Sequence, residues 1–447
     1  MSGPANQSRS RKRLDWNLVL RALKHRNYRL FFGGQGISLI GTWMTRVATG
    51  WLVYRLTGSA FLLGLVSFAS QIPILFLGPF AGVWVDRLNR HRVLVITQVL
   101  SMLESFALAG LALGRIITVH EIIFLNLFQG AVNAFDMPAR QAFVIEMVED
   151  PDDLGNAIAL NSSLVNAARL IGPSLAGMII AVVGEGYCFL IDGFSYVAVI
   201  ASLLAMVVVA KASEHEHPSV LSELREGWNY VRGFPPIRSI LLLLTLISLV
   251  GMPYTTLMPI FAAQILHGGA HTLGFLMGAI GVGALVGALR LAARESVLGL
   301  GRVLPMTAAG FGAGLVAFSA SHQLWSSLLL LVATGFCFMQ QMAASNTILQ
   351  TISEDDKRGR VMSFYAMAFQ GIAPFGSLAA GIAASRIGAP STLMIGGALC
   401  VGGAGLFALQ LPTLRHYIRP IYVQMGIIPE VARGIQAATV LELPPQD

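Results

Sequence analysis

Long apolar runs alternate with short polar breaks along almost the whole chain. Six runs fall at about 30–54, 62–85, 93–113, 119–135, 158–183 and 188–210. A polar stretch at 211–238 interrupts the series. Six more follow at about 240–265, 273–293, 303–320, 324–342, 361–384 and 392–411. A membrane-crossing helix needs about 20 mostly apolar residues, and the runs have about that length. The pattern predicts an all-α membrane protein with 12 transmembrane helices in two pseudo-symmetric six-helix halves. The expected parts are a basic tail (1–28), a first half (29–210), a connector (211–238), a second half (239–411) and a second tail (412–447). Within the connector Val220, Leu224, Trp228 and Val231 recur at helical spacing, which predicts an amphipathic helix on the inner membrane surface or an ordinary linker helix.

The two series resemble each other. At an offset of 204 residues Ala139 meets Ala343, Asp152 meets Asp356 and Gly155 meets Gly359. The same offset pairs Gly172 with Gly376, Ala176 with Ala380, Gly177 with Gly381, and Gly184 with Gly388. A gap-free repeat of six plus six spans is the mark of a transporter whose halves rock about a central site.

Composition agrees with the pattern. Hydrophobic residues make up 55 % of the chain and charged residues 12 %, with a mean hydropathy of +0.68. A soluble domain carries about 25 % charged residues, so soluble and disordered classes are excluded. The net charge of +7 suggests nucleic acid only until the cations are located. With the N-terminus inside, 25 of the 30 Lys and Arg residues fall in the tails and inner loops, and only Arg55, Arg115 and Arg386 fall outside. That asymmetry predicts cytoplasmic termini and no nucleic-acid partner. The polar, basic start has no short apolar segment with a cleavage site, so the first helix is expected to stay in the membrane. Cys188, Cys337 and Cys400 lie far apart in apolar stretches and have neither disulfide nor metal spacing. His215 and His217 are too few for a metal site, and no metal or other cofactor is expected. No Gly-Lys dipeptide occurs, which excludes a P-loop ATPase. HExxH and G-x-S-x-G are absent too, and no enzymatic activity is expected.

Between the second and third runs lies Gly82-Val83-Trp84-Val85-Asp86-Arg87-Leu88-Asn89-Arg90-His91-Arg92. This stretch resembles the loop signature of the major facilitator superfamily. The resemblance implies a gate made by Gly82, Asp86, Arg87, Arg90 and Arg92, with Asp86 set against the start of the eleventh span near Val361. Further stretches resemble one subgroup, the efflux permeases that include the enterobactin exporter. They are Leu56-Thr57-Gly58-Ser59-Ala60, Pro138-Ala139-Arg140-Gln141-Ala142 and Ala168-Arg169-Leu170-Ile171-Gly172-Pro173, then Arg358-Gly359-Arg360-Val361-Met362-Ser363 and Pro374-Phe375-Gly376-Ser377. The likeness covers about residues 26–415. It implies export of a small molecule by alternating access, driven by proton antiport, from a monomer in the bacterial inner membrane among its lipids. Gly172-Pro173 resembles a reduced form of the superfamily's antiporter signature. The arginine that many proton-coupled exporters carry in the fourth span is missing. Asn126, Gln129 and Asn133 occupy that face. An uptake permease of the same fold and a carrier of lysophospholipid or other lipid remain as alternatives.

Polar residues inside spans are costly and face a watery cavity or each other. Gln35, Ser38, Thr42, Arg46 and Thr49 form one face of the first span. Asn126, Gln129 and Asn133 do so in the fourth, and Ser162, Asn166 and Arg169 in the fifth. The second half offers Tyr254, Gln341, Ser345 and Gln370. Such stripes line a cavity or glue helices together. Arg46, Glu104 and Arg169 lie mid-span, and Asp192 lies near one end of the sixth run. Two roles stand open for Glu104: an ion pair with an arginine, or a carboxyl that carries a proton. Arginines lining the cavity favour an anionic or polar substrate.

Overall fold

A computed structural model of the protein describes residues 20–148, 150–207, 220–294, 296–425 and 427. Arg9, Arg11, Lys12, Arg13, Lys211, His215, His217 and Arg433 lie outside the described residues, as do the side chains of Asp86, Val220 and Leu224.

Every regular element among the described residues is helical. Helices α1 (Arg26–Thr57), α2 (Ala60–Arg87), α3 (Arg90–Leu113), α4 (Val119–Met147), α5 (Pro151–Val183) and α6 (Glu185–Leu204) precede the connector helix α7 (Val220–Gly233). The seventh run is helix α8 (Pro235–Leu246), a wider π-helical turn, and helix α9 (Tyr254–Ile260) ending in another such turn. Helices α10 (Ala270–Ala292), α11 (Leu300–Ser319) and α12 (Leu324–Ile352) follow. The eleventh run is α13 (Arg358–Ala366), a π-helical turn, and α14 (Ala373–Ile387); α15 (Ala389–Gln424) closes the series.

The breaks and widened turns have local causes. In Thr57-Gly58-Ser59 the glycine ends α1 at φ 60°, and the Ser59 hydroxyl accepts a bond from Leu62 N to start α2. Asn89 caps α3 by accepting from Arg92 N at 3.1 Å. Thr118 and Glu121 form a capping box for α4. The π turns at Ile247–Gly251 and Met367–Gly371 directly precede Pro253 and Pro374. A proline ring clashes with the carbonyl four residues back, and widening that turn relieves the clash.

Ten helices among the described residues are long and apolar enough to cross a membrane. The other two long helices, α1 with 32 residues and α4 with 29, carry more polar side chains. Those are the two helices whose polar faces stand out in the sequence. The last helix outruns its apolar run: α15 continues to Gln424, with Leu414 and Tyr422 buried, so the first part of the expected tail is helix.

Helix α1 packs on α5 and α6, α2 on α4, and α3 on α4 and α6; later, α10 packs on α12, and α11 on α12 and α15. Two seams join the early helices to the late ones, α2 with α14 and α5 with α10. The repeat is visible in what its glycines do. A Cβ on Gly172 would strike Trp43 of α1, and one on Gly376 would strike the Leu249 carbonyl of the seventh run. A Cβ on Gly177 would lie 2.8 Å from Gly274 Cα, and one on Gly381 would lie 3.0 Å from Gly64 Cα. Gly184 and Gly388 both turn the chain at positive φ, 93° and 85°. Gly155 and Gly359 both have nothing within 4 Å. Each matched pair therefore meets the same kind of constraint.

Close helix approach is tested most directly at Gly283, where an added Cβ would overlap the Val332 carbonyl of α12. Gly283→Ala should destabilise the protein by about 1–3 kcal/mol through overpacking, whereas Gly155→Ala should be neutral or slightly stabilising. Thermal unfolding in detergent measures both, and a Gly283→Ala protein as stable as the parent would contradict the packing described.

Candidate functional site

The end of the bundle holding Arg26 and Gln424 is here the terminal end, and the end with the turns at Gly58, Gly184 and Gly388 is the distal end. Both seams are tight distally. Along α2, Gly64 meets Gly381, and the Ser67, Thr256 and Ser377 hydroxyls form a chain of 3.2 Å contacts. Phe68 and Phe375 then meet edge to face at 5.7 Å. The last close approach is Leu75 with Gly371; beyond it Gly78 and Gly82 face open space. Along α5, Gly177 meets Gly274, Ser174 meets Gly278, and Leu170 meets Gly281. Beyond these, Ser162 and Ser163 are exposed and Gly155 is open. Toward the terminal end the close glycine contacts of both seams stop, those of α5 with α10 at Leu170, and the space between the seams there is the candidate opening, with its apex at Leu170.

At that apex stand two cations. The Arg46 guanidinium lies 4.8 Å from the centroid of the Trp43 ring and that of Arg169 lies 5.1 Å from it. Trp43 is held in place because its Cβ packs on Gly172. Arg46 is exposed although its neighbours Val47 and Ala48 are buried, so it faces the opening. The buried Nε of Arg169 has no hydrogen-bond partner. The guanidiniums are close enough to repel, and Tyr254 is within electrostatic reach of Arg169.

The carboxylates lie elsewhere. Glu104 and Asp192 are both buried, on α3 and α6, and they face each other electrostatically. Ser105 donates to Asp192 Oδ2 at 3.1 Å and to Glu104 Oε2 at 3.5 Å. Thr45 donates to Asp192 Oδ2 at 2.8 Å, and Ser195 to Oδ1 at 3.3 Å. An ion pair of Glu104 with Arg46 or Arg169 is therefore not formed here. Both arginines sit on the Trp43 side, whereas Glu104 points into the α3–α6 contact. Tyr196 stands between the groups: its hydroxyl is 3.5 Å from that of Thr42, and it interacts electrostatically with Asp192 and Arg46.

The remaining expected residues scatter. Gln35 and Ser38 are buried in helix packing. Asn126 and Asn166 donate to carbonyls of their own helices, of Ile122 and Ser162. Gln129 donates to Ser101 at 3.0 Å and to Asn133 at 3.3 Å. Gln341 is fully buried and accepts from Thr307 at 2.9 Å, so it serves the packing of α11 on α12. Tyr254 is buried edge-on against Phe311, and Gln370 is exposed. At the expected gate, Arg90 pairs with Glu146 of α4 at 2.7 Å, and the side chains of Arg87 and Arg92 are exposed.

Three buried carboxylates escaped sequence reasoning. Asp136 accepts from Thr97, from Gln98 and from Arg140 one turn on; the i,i+4 spacing to Arg140 was the available signal. Glu185 makes a two-pronged bond with Arg55 at 2.7 and 3.1 Å, closing the α1–α6 distal corner. Asp153 collects Arg21 at 3.0 Å, Lys24 at 2.6 Å and His25 at 2.9 Å, and its hydrogen bond holds the Lys24 ammonium above its ordinary range. These contacts anchor the turn before α1 onto the start of α5.

The family model described as "Transmembrane secretion effector", a group of the major facilitator superfamily, matches residues 19–420. The chain belongs to this secretion-effector family. Its members are transporters, not enzymes. The chain is 27 % identical over 369 residues to the staphyloferrin A transporter of Staphylococcus aureus, covering 82 % of this chain and 92 % of that one. It is 25 % identical over 384 residues to the multidrug efflux pump Tap of Mycolicibacterium fortuitum (84 % and 93 % covered). It is 24 % identical over 390 residues to macrolide efflux protein A of Streptococcus pyogenes (85 % and 95 % covered). Among solved structures, its fold is similar to a D-xylose-proton symporter, with TM-score 0.65, 15 % identity and 88 % and 97 % covered. It is also similar to a bacterial homologue of the lysosomal transporter Spinster in an inward-facing, unoccupied conformation, with TM-score 0.64, 14 % identity and 88 % and 98 % covered.

The Asp153 anchor makes a direct prediction. In Asp153→Ala, trypsin should cut the folded protein after Arg21 and Lys24 several-fold faster than in the parent, since a buried acceptor for three cations is gone. Equal cleavage rates, followed by mass spectrometry of the N-terminal fragment, would argue against the anchor.

Proposed function

We propose that this protein is a secondary active exporter of a small organic molecule, working by alternating access and driven by inward movement of protons. The observation that carries this reading is the match of the secretion-effector family across 19–420, joined to relatives of nearly full-length overlap that are named as efflux or siderophore transporters. In this reading all twelve long helical runs cross the bacterial inner membrane, including the polar first and fourth. Both termini are cytoplasmic, in keeping with 25 of 30 basic residues on that side. The terminal end is then the cytoplasmic end, and the opening faces inward to take substrate from the cytoplasm. The two six-helix halves rock about the apex as one transport unit, a monomer.

Closing the cytoplasmic end brings the gate stretch toward α13. Gly82 permits close approach, and Asp86 meets the amide-rich start of α13 at Arg358. The open space around Gly82 supports this assignment, since a gate residue is free while the gate is open. Glu104 and Asp192 take the coupling role. They are two buried carboxyls held by hydroxyls, with no cation paired to either among the described residues. Two buried carboxyls reached by one serine hydroxyl are suited to take up and release a proton. Thr45 links Asp192 to α1 beside Arg46, so gaining or losing that proton acts on the helix that lines the cavity.

Two measurements test this. In inverted membrane vesicles the parent should take up an exported dye or drug on acidifying the lumen, and Glu104→Gln should lower that driven uptake at least about tenfold while leaving insertion intact. Uptake that keeps its full pH dependence in Glu104→Gln removes the coupling assignment. Accumulation of substrate into right-side-out vesicles indicates an uptake permease, and movement of labelled lysophospholipid indicates a lipid carrier. Asp86→Asn should slow transport several-fold at unchanged expression, and an unaltered rate would remove the gate assignment.

A further inference from the structure

The Glu104–Asp192 pair leaves the two mid-membrane arginines without a countercharge, and that is the starting point here. Arg46 and Arg169 converge on Trp43, and neither has a salt bridge or a hydrogen-bond partner among the described residues. Several other cations of the helices and their ends do have one. Arg55 has Glu185, Arg90 has Glu146, Arg140 has Asp136, and Arg21 and Lys24 have Asp153. Within the membrane, one unpaired guanidinium costs at least about 2.5–3.5 kcal/mol, and two that repel cost more. The Gly172 contact between α1 and α5 is made by Trp43, Ile40 and Met44, without either arginine.

Their surroundings also suit a guest. Arg46 is exposed to the opening. The Arg169 Nε is buried with an unused donor, an arrangement that costs free energy until an acceptor arrives. The Trp43 ring holds both guanidiniums by cation–π attraction and limits their rotamers, which lowers the ordering cost of binding. Guanidinium forks match planar and tetrahedral oxyanions in two-pronged hydrogen bonds. The site sits where the α5–α10 seam closes at Leu170 and Gly281, so a bound anion would touch α1 and α5 and lie near Tyr254 of the other half.

We infer that Arg46, Arg169 and Trp43 form the substrate subsite of this carrier and that it receives a carboxylate or phosphate group of a small organic anion. This rests on the export reading for its context but not for its chemistry. Binding can be measured on the purified full chain in detergent by thermal shift, with citrate and glycerol 3-phosphate as probes and sodium chloride of equal ionic strength as reference. At least one organic anion should raise the melting temperature in a saturable way, and the one that does distinguishes carboxylate from phosphate. Arg46→Gln and Arg169→Gln should each weaken the apparent affinity by about tenfold or more, Arg46→Lys should keep part of it, and Arg302→Gln should leave it unchanged.

A second readout does not depend on guessing the ligand. Iodide should quench the Trp43 share of the fluorescence, taken as parent minus Trp43→Phe, more strongly than caesium does, and that preference should vanish in Arg46→Gln. Equal quenching by the two ions, or anion shifts that persist in the Arg46→Gln/Arg169→Gln protein, would overturn the subsite. Export of a dye by a protein that shows neither effect sinks the subsite and spares the export reading. Anion binding by a protein that exports nothing from vesicles does the reverse.

Discussion

Contacts between glycines hold the early and late helices together. At the distal end Gly64 meets Gly381 and Gly177 meets Gly274 with backbone against backbone, and no side chain intervenes. Lipid gives apolar helices little reason to associate, so close van der Waals approach has to supply it, and only residues without a Cβ allow the approach. The consequences run through the molecule. Because both seams are shut distally, they part toward the terminal end. Because they part there, Arg46 of α1 stays exposed while Gln35, Ser38 and Thr49 of the same face are buried, and exposure makes a mid-span arginine tolerable.

Helix α1 divides its duties by angle. Thr45 points to Asp192 and Arg46 to the opening, although the two are consecutive in the chain. Successive residues of a helix are turned about 100° apart, so a single helix separates an acidic compartment from a basic one. Tyr196 lies at the border and feels the charges of both. A change on one side reaches the other within a few ångströms, without any long path through the fold.

Much of the architecture was legible because lipid imposes coarse, length-based rules. The apolar runs located the helices, and the offset of 204 residues picked out glycines that prove to have matching surroundings. Helices α1 and α4, the two long helices outside the ten apolar enough to span a membrane, are among those whose stripes were expected to line a cavity. What the chain does not show on its face is rotation. Gln35, Gln341 and Asn126 look alike in sequence to Arg46, yet they are spent on packing or on their own backbone. Pairing was equally opaque. An acid and a base in neighbouring spans suggest an ion pair, but Glu104 faces Asp192, 88 positions away in the chain. The widened turns before Pro253 and Pro374 had no sequence signal beyond the prolines themselves.

The glycine seams have one more implication, for what can power the carrier. A contact made only of Cα hydrogens and carbonyls has no net charge, so membrane voltage, ionic strength and acidity exert almost no pull on it. In the proposed exporter, energy from an ion gradient would have to enter through some other part of the molecule and reach the seams as mechanical displacement. With the uncharged hydroxyls of Ser67, Thr256 and Ser377 and the Phe68–Phe375 pair beside it, the distal closure behaves as a passive clasp that carries no charge for a gradient to act on.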